Sequence, residues 1–208
     1  YTNEATNGPW STTPGTSGGS LLACRPSYTI LMTDGYWNGD EAGTPAARTN
    51  NDGTDGLEIV APDGAKLAYK ADPPFKDGFS NTLADVAMYY WKRDLCPAIE
   101  NKVPTSPTDP AFWQHMVTYG IALGIPTSIN PNTALEAIST KATINWPNPA
   151  TNTGTSRIDD LLHASINGRG RFFNASDSNE FASSLNSALS KIISDSANSA
   201  SSVAANST

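Results

Sequence analysis

One stretch of the sequence matches the Gly-x-Ser-x-Gly pattern around the nucleophile of many serine hydrolases, at residues 15–19 with Ser17 at its centre. Such a nucleophile needs a strand before it and a helix after it, which together hold the serine on a tight turn. Both flanks of Ser17 are rich in Thr, Gly, Ser and Pro, a composition typical of loops. His115 and His163, the two histidines, each have apolar neighbours, where a structural role is expected. We therefore predict that the chain is not an enzyme.

Two acidic segments could bind Ca²⁺ through interleaved carboxylates: Asp40 with Glu41, and Asp52 with Asp55. Neither segment has the Asp-x-Asn-x-Asp-Gly spacing, followed by Glu, of an EF-hand loop. Acidic residues next to Gly form ordinary turns far more often than ion sites. We predict turns at both places.

The chain has two cysteines, Cys24 and Cys96, and neither belongs to a Cys-x-x-Cys pair. Two cysteines alone do not complete a zinc site. In an oxidising compartment they could form one disulfide, which is the pairing that we predict. The alternative is two buried thiols, because cysteine is often buried whether or not it is bonded.

Composition excludes several classes of function. The 208 residues carry a formal net charge of -7, and 38% of them are hydrophobic and 16% charged. This length suits one domain, and the low apolar and charged shares predict much loop. An acidic chain without a basic stripe is a poor ligand for nucleic acid or for anionic lipid. No apolar run approaches the roughly 20 residues of a membrane helix. Because the sequence begins at Tyr1 without a leader, we expect any export signal to lie upstream or to have been removed.

Apolar periodicity predicts alternating strands and helices. A short apolar run that ends at a polar turn, as at Thr33-Asp34-Gly35, is typical of a buried strand. The strand, helix, strand order predicts parallel pairing through right-handed crossovers, and therefore an α/β fold. The predicted strands are 28–32, 117–125 and 170–174, and the predicted helices are 80–91, 110–116, 134–138, 158–166 and 177–193.

Three core strands are fewer than the roughly 5–6 of a typical sheet. We therefore expect the sheet to be incomplete, and to be finished by residues outside the chain or by another copy. The predicted organisation is an extended arm rich in Thr, Gly and Ser at 1–23, a partial domain at 24–193 with an inserted β-hairpin at 57–70, and a linker rich in Ser and Ala at 194–208.

Aromatic residues could form a platform for a ligand, but at helix or strand spacing they are more often core. That interpretation covers Tyr89, Tyr90, Trp91 and Trp113. Tyr36 and Trp37 differ because they follow a strand end directly, so we name them as candidates for binding a partner. The alternative is that they pack under the long loop that follows.

Four stretches, in this order, resemble one region of the PilY/PilC type IV pilus-associated adhesins: CRPSYTILMTDGYWN (24–38), SNTLADVAMYYW (80–91), FWQHMVTYG (112–120) and GRGRFF (168–173). Together they span most of the chain. The resemblance implies the second half of a von Willebrand factor A-like domain, a Rossmann-like doubly wound α/β sheet with long loops. It also implies an exported protein of the bacterial cell surface, at the pilus tip or associated with the outer membrane.

Domains of that fold bind a divalent cation through an Asp-x-Ser-x-Ser loop, a separate Thr and a later Asp at the carboxyl ends of the strands. The resemblance places Asp34 at the later Asp. The sequence contains no Asp-x-Ser-x-Ser, so we expect Mg²⁺ or Ca²⁺ only in the full-length protein and none in this chain. The alternative for Asp34 is an ordinary turn residue before Gly35.

The function that the resemblance implies is adhesion and pilus biogenesis without catalysis. The implied partners are minor pilins or the pilus tip, and a receptor on a host cell or an abiotic surface. The alternative is a structural piece whose sheet is completed by the rest of the A-like domain or by another copy, and which recognises no ligand.

Overall fold

A parallel three-stranded sheet forms the centre of the protein, which we describe from a computed structural model for residues 6–34, 42–151 and 155–205. Its strands are β1 (Ser27–Thr33), β4 (Met116–Leu123) and β5 (Arg169–Ala175), in the order β1, β4, β5. β4 is buried at every position but its last, because strands flank it on both sides and helices cover its faces. The prediction of an α/β fold with parallel strands is therefore confirmed.

Helices cover both faces of the sheet. On one face lie α1 (Leu83–Trp91) and α3 (Ser156–Asn167), and on the other lies α4 (Ser178–Ala205). Side chains alternate along β4 as the pleat requires. Val117 and Tyr119 pack with Ala188 of α4, whereas Ala122 packs with Ile158 of α3. α2 (Pro131–Thr140) lies beside α3.

The start of α1 is fixed by a capping box. Thr82 is the N-cap residue: its hydroxyl accepts from the Asp85 amide, and the Asp85 carboxylate accepts from the Thr82 amide. Asp160 of α3 adds a second cap, since its carboxylate accepts from the amides of Leu83 and Ala84 at 2.9 and 3.0 Å. The sequence predicts the start at Ser80-Asn81, two residues early, and Asn81 has a left-handed φ of 62° that ends the preceding loop.

The segment between β1 and α1 contains a small antiparallel pair, β2 (Ile59–Val60) and β3 (Lys66–Leu67), within the predicted hairpin. The segment does not stand apart from the domain. Its Tyr69 and Phe75 belong to the main core with Trp91, Trp113 and the other residues of that cluster: Met88, Ala111, Ala134, Ile138, Trp146, Leu162 and Ile166.

The predicted helix at 110–116 is wrong. Residues 110–115 are irregular and lead directly into β4. Backbone pairs hold them: Val103 N donates to Phe112 O, and Leu95 N donates to Gln114 O. Asp109 does not cap a helix, because its carboxylate instead accepts from Trp91 Nε1 and pairs with His115.

The arm at the amino terminus is attached to the body through Trp10. This side chain is 1% exposed and packs in a second cluster with Leu95, Cys96 and Met116. A bridge between Ser11 and Leu21 turns the arm back on itself.

Cys24 and Cys96 are not bonded to each other in the structure, and their pairing in an oxidising compartment stays a prediction. Cys96 lies inside the Trp10 cluster at 0% exposure, whereas Cys24 is exposed at a turn just before β1. Cys96 packs there with Trp10, Leu95 and Met116.

α4 continues to Ala205, through most of the segment in which composition predicts a linker. The helix contains no Gly or Pro, and Ala is the strongest helix former. Asp177 accepts from the amides of Asn179 and Glu180 at its start. Of the predicted apolar face, Leu189 and Ile193 remain exposed, at 43% and 68%. Within the three described ranges, no helix has the length and apolarity that a bilayer crossing requires.

Candidate functional site

The outer edge of β1 is the first candidate surface. β1 pairs with β4 along one side, and within the described residues no strand pairs with its other side. Met32 near the carboxyl end of β1 is 54% exposed. Such an edge presents a row of backbone donors and acceptors that another strand could use.

Asp34 lies exposed directly after β1, where the sequence places it. It belongs to none of the groups of three or more metal-ligating side chains found within the described ranges. Tyr36 and Trp37 fall outside those ranges, as do Asp40 and Glu41. The role of Asp34 as a metal ligand and of the two aromatic residues as partner contacts stay predictions.

A wide cleft opens at the amino ends of the three strands, at the other end of the sheet from Asp34. Sheet residues Tyr28, Val117 and Tyr119 line its floor, and Arg171 and Lys191 are among the charged residues around it.

A third candidate is a buried cluster formed by Asp52, Asp77 and His163. The three residues each offer a ligand atom within 4.8 Å of the others. Asp52 and Asp77 come from the segment between β1 and α1, and His163 comes from the middle of α3. His163 Nε2 lies 3.6 Å from Asp52 Oδ2, and its Nδ1 lies 3.6 Å from Asp77 Oδ2. We call these three residues the Asp–His cluster.

The His163 ring is fixed on both sides. Its Nε2 is 2.6 Å from the carbonyl oxygen of Phe75, which can only accept, so the proton is on Nε2. The ring stacks on the indole of Trp146, with centroids 3.9 Å apart and planes 7° from parallel. Burial lowers the pKa of His163 to about 3, so the ring is neutral and forms no ion pair with either carboxylate at neutral pH.

Backbone and side-chain amides bind the carboxylates of the cluster. Asp52 Oδ1 accepts from Asp77 N at 3.1 Å, and Asp52 Oδ2 accepts from Asn167 Nδ2 at 2.9 Å. Asp77 Oδ1 accepts from Phe79 N at 2.7 Å. Asn167 is fully buried, and among the residues that the structure describes none donates a hydrogen bond to its Oδ1.

Burial governs the ionisation of the carboxyls in this region. It raises the pKa of Asp52 to about 7, and the charge of Asp77 adds to that rise. Burial also raises the pKa of Asp160 to about 7 and that of Asp85 to about 6, although amide donors oppose the rise in both cases. A carboxylate is costly to keep charged away from water, which is the cause in each case.

Arg169 lies at the first position of β5, between the core aromatics. Its guanidinium is 3.6 Å from the ring centroid of Phe75 and 3.7 Å from that of Trp91. Its Nη1 donates to the carbonyls of Ile166 and Asn167 at the end of α3, where the helix dipole favours a cation. Burial lowers the pKa of Arg169 to about 10, so it stays charged at neutral pH.

Reasoning from the sequence missed most of these buried groups. It interprets Asp52 and Asp55 as one acidic segment, yet Asp55 is exposed and pairs with Lys70 at 2.7 Å. It places His163 among apolar neighbours without a partner, and it interprets Asn167 before Gly168 as a helix stop. Asp77 precedes Gly78 and has only the pattern of a turn. The partners of His163 lie 86 and 111 positions away, a separation at which no local pattern signals a contact.

The fold and these sites can be compared with known proteins. The chain is 36% identical, over 89% of its length, to the type IV pilus biogenesis factor PilY1 of Pseudomonas aeruginosa strain PAK. It is 32% identical, over 85% of its length, to PilY1 of strain UCBPP-PA14. The chain belongs to the PilY1 family. It spans about a sixth (17%) of the length of these relatives.

No protein-family model matches the chain, and no solved structure matches it. The PilY1 relationship therefore rests on the sequence itself. The four stretches that carry the resemblance lie on β1 and its end, on α1, on the approach to β4 and on β5. The stretches similar to PilY/PilC proteins thus include the three strands of the sheet and one helix that packs against α3, and the predicted family is confirmed.

Proposed function

We propose that the chain is a non-enzymatic module of a longer type IV pilus protein, which acts by binding a protein or a surface in pilus biogenesis and attachment. The observation that carries this proposal is the match along 89% of the chain to PilY1 biogenesis factors. Binding is favoured over catalysis because His115 and His163 are both buried and bound by Asp109 and by backbone carbonyls. Ser17 is exposed in a turn, without a strand directly before it or a helix directly after it.

The contact surface that we propose is the carboxyl end of β1, with Asp34, Tyr36 and Trp37. Asp34 is exposed there, and large aromatic side chains that follow a strand end are effective anchors for a partner. The proposed setting is the bacterial cell surface, with the protein secreted and located at the pilus tip or with the outer membrane. Minor pilins, a host receptor or an abiotic surface are the proposed partners.

The residues present do not by themselves make an Mg²⁺ or Ca²⁺ site at Asp34. These ions need about six oxygen ligands, and Asp34 stands outside every cluster of ligating side chains in the described ranges. A cation at this position would need ligands from other parts of the longer proteins. We therefore propose a surface that binds through side-chain contacts in this chain.

The test of the proposed function uses cells that carry the full-length pilus protein. Replacing Tyr36 and Trp37 together by Ala should reduce attachment several-fold and leave the number of surface pili unchanged, as counted by electron microscopy. Asp63→Asn, in an exposed turn between β2 and β3, is the matched control. Unchanged attachment by the double variant would remove this surface from the proposal.

The second candidate function is structural, and the unpaired edge of β1 favours it. We propose that a strand from elsewhere in the longer protein pairs with this edge and completes a von Willebrand factor A-like sheet. Support comes from the exposed Met32, and from the rarity of parallel sheets as small as three strands with an open edge.

Hydrogen exchange distinguishes the two candidates. In the isolated chain, the β1 amides that donate to β4 should exchange slowly, and those that face the open edge should exchange fast. In the full-length protein the second set should become protected as well. The amides of β4, bonded on both sides, are the internal control. Edge amides that remain fast in the full-length protein would contradict sheet completion, and sedimentation of the isolated chain would show whether a second copy occupies the edge instead.

A further inference from the structure

The Asp–His cluster has the geometry of a metal site. Asp52 and Asp77, 25 residues apart in the segment between β1 and α1, meet His163 of α3, and the ligand atoms of the three lie within 4.8 Å of one another. Asp52 and His163 are 0% and 2% exposed. Three ligating side chains of two chemical types therefore converge on one small buried volume.

The tautomer of His163 makes this convergence unusual. Because Nε2 carries the proton that binds Phe75 O, Nδ1 presents a lone pair. That lone pair faces Asp77 Oδ2 at 3.6 Å, and a carboxylate oxygen is also an acceptor. Two lone pairs that face each other are stabilised by a positive centre between them, either a proton or a metal ion. Ligands bound at about 2.0–2.1 Å to a tetrahedral ion are roughly 3.4 Å apart, close to this separation.

Asn167 provides an independent sign of a missing partner. Its amide nitrogen donates to Asp52 Oδ2, so the side chain reaches into the cluster. Its carbonyl oxygen is buried, and no described residue donates a hydrogen bond to it. An unsatisfied buried oxygen costs about 1–3 kcal/mol, a cost that a cation within reach of this side chain would remove.

Three largely buried carboxyl groups lie close together in and beside the cluster. Asp85 lies near Asp52 and Asp77, close enough for its charge to act on that of Asp52. Lys92 acts electrostatically on Asp52 and Asp85, but it donates its hydrogen bonds to Asn51 O and to Thr54. Among the described residues no cation is hydrogen-bonded to any of these three carboxyl groups, and burial makes it costly to charge all of them at once, a cost that a bound ion would offset.

We propose that Asp52, Asp77 and His163 bind one divalent transition-metal ion of the Zn²⁺ type, next to the buried side chain of Asn167. An imidazole nitrogen with two carboxylate oxygens suits Zn²⁺ or Mn²⁺. The same donors suit Ca²⁺ poorly, because that ion takes six to eight oxygens. Gly78 is exposed next to the partly exposed Asp77, which gives the ion a way in.

The ion would fasten the segment between β1 and α1 to the helices. Asp52 and Asp77 belong to that segment, and His163 and Asn167 belong to α3. Metal binding at such a joint adds directly to the free energy of unfolding, because the unfolded chain does not hold the ligands together. This role differs from the adhesive surface at the end of β1 and does not depend on it.

The experiment titrates ZnCl₂ and CaCl₂ into the chelator-treated 208-residue chain by calorimetry, with metal content measured after dialysis. We expect one Zn²⁺ per chain, a higher melting temperature with Zn²⁺, and no such response to Ca²⁺. Asp77→Asn keeps the size of the side chain and should weaken Zn²⁺ binding at least tenfold. Asp63→Asn, an exposed carboxyl away from the cluster, should bind Zn²⁺ as the wild type does.

A second measurement uses the wild type alone, so its result does not depend on whether a variant folds. The ring nitrogens of the two histidines can be followed by ¹⁵N NMR, and Zn²⁺ should shift Nδ1 of His163 while leaving His115 unchanged. Absence of saturable Zn²⁺ binding, a shift confined to His115, or equal affinity of Asp77→Asn and Asp63→Asn would each overturn the proposal.

Discussion

At the scale of single residues, the ion pair between Asp109 and His115 is the clearest buried electrostatic interaction. His115 Nε2 is 2.9 Å from Asp109 Oδ2, and its Nδ1 is 2.7 Å from Trp113 O. Both partners are acceptors, so the ring carries a proton on each nitrogen and is charged. Burial alone lowers the pKa of His115, but the charge and hydrogen bond of Asp109 outweigh it and leave that pKa raised.

The pair has a defined pH window. Burial raises the pKa of Asp109, but the charge of His115 and hydrogen bonds from His115 and Trp91 outweigh it, so the pKa is lowered from 3.8. The contribution of Asp109 to stability is therefore present above its unfolded pKa and is lost in acid. That of His115 is complete below its unfolded pKa of 6.5 and is lost as the pH rises through the raised folded value.

We predict that His115→Gln lowers the free energy of unfolding by about 3–5 kcal/mol at pH 5, because it leaves a buried carboxylate without its partner. At pH 9 the loss should be smaller, since the wild-type ring is then less charged. Urea denaturation of the wild type and the variant at pH 5 and pH 9 measures the loss of unfolding free energy at each pH. Glu58→Gln, in the exposed pair with Lys66, should change stability little at either pH. A loss from His115→Gln that grows between pH 5 and pH 9 would contradict the charged pair.

The sequence could place His115 in an apolar setting but could not supply its partner. Asp109 lies only six residues earlier, next to Pro110, in a pattern that local rules assign to the start of a helix. The chain instead turns back so that Asp109 meets Trp91 and His115. Tertiary contacts with α1 decide the conformation here, and these are invisible to a local pattern.

At the scale of elements, the close contact between β4 and β5 depends on glycine. A Cβ atom at Gly170 would run into the backbone carbonyl of Thr118. The register between the two strands shifts between Thr118 and Gly120, beside this contact. A Cβ at Gly120 would lie 2.6 Å from Ser165 Oγ of α3. β5 can approach β4 this closely only because Gly170 has no side chain, and α3 can approach β4 this closely only because Gly120 has none.

We predict that Gly170→Ala lowers the free energy of unfolding by about 1–3 kcal/mol or more, because backbone atoms must move to admit the methyl group. Gly43→Ala is the control: no atom lies within 4 Å of a Cβ built there, and its φ lies outside the left-handed region. Chemical denaturation of the two variants gives the comparison. Equal stability of the two variants would show that β4 and β5 can separate without cost.

Elements with a strong apolar pattern were predictable, and weakly patterned ones were not. β1 and β4 are short apolar runs, β5 contains the pair Phe172-Phe173, and α1 and α3 have helical periodicity, so the sequence predicts each of them within a few residues. The end of α4 was not, because Ser and Ala without large apolar residues signal a linker as readily as a helix. Which strand lies in the middle of the sheet depends on contacts between distant segments, and no local pattern specifies it.

At the scale of the whole molecule, residues 6–23 are part of the folded body. Trp10 is 1% exposed and fills a cluster with Leu95, Cys96 and Met116. Its Nε1 is buried and has no hydrogen-bond partner among the residues that the structure describes. Composition predicts an arm without a core of its own, and the arm indeed contributes one large side chain to a cluster built by other elements.

We predict that Trp10→Ala lowers the free energy of unfolding by about 3–5 kcal/mol, the usual cost of removing a large buried aromatic side chain. Trp10→Phe should cost much less, because the phenyl ring keeps most of the contacts and the indole N–H has no hydrogen bond to lose. Thr16→Ala, exposed on the same arm, should leave stability unchanged. Thermal unfolding of the three variants tests this prediction. A wild-type melting temperature for Trp10→Ala would show that packing of the arm through Trp10 does not contribute to stability.

The parallel order β1, β4, β5 also determines how the protein carries mechanical load. Because the strands run in one direction, Ser27 at the start of β1 lies at the amino end of the sheet and Ala175 at the end of β5 lies at its carboxyl end. Tension between these two points pulls the outer strands in opposite directions along their axes, so the hydrogen bonds on both sides of β4 bear the force together in shear. Ser27 and Met116 both lie at the amino end of the sheet, so pulling between them would open the hydrogen bonds between β1 and β4 one after another. Single-molecule force measurements with the two pairs of attachment points would compare the unfolding forces.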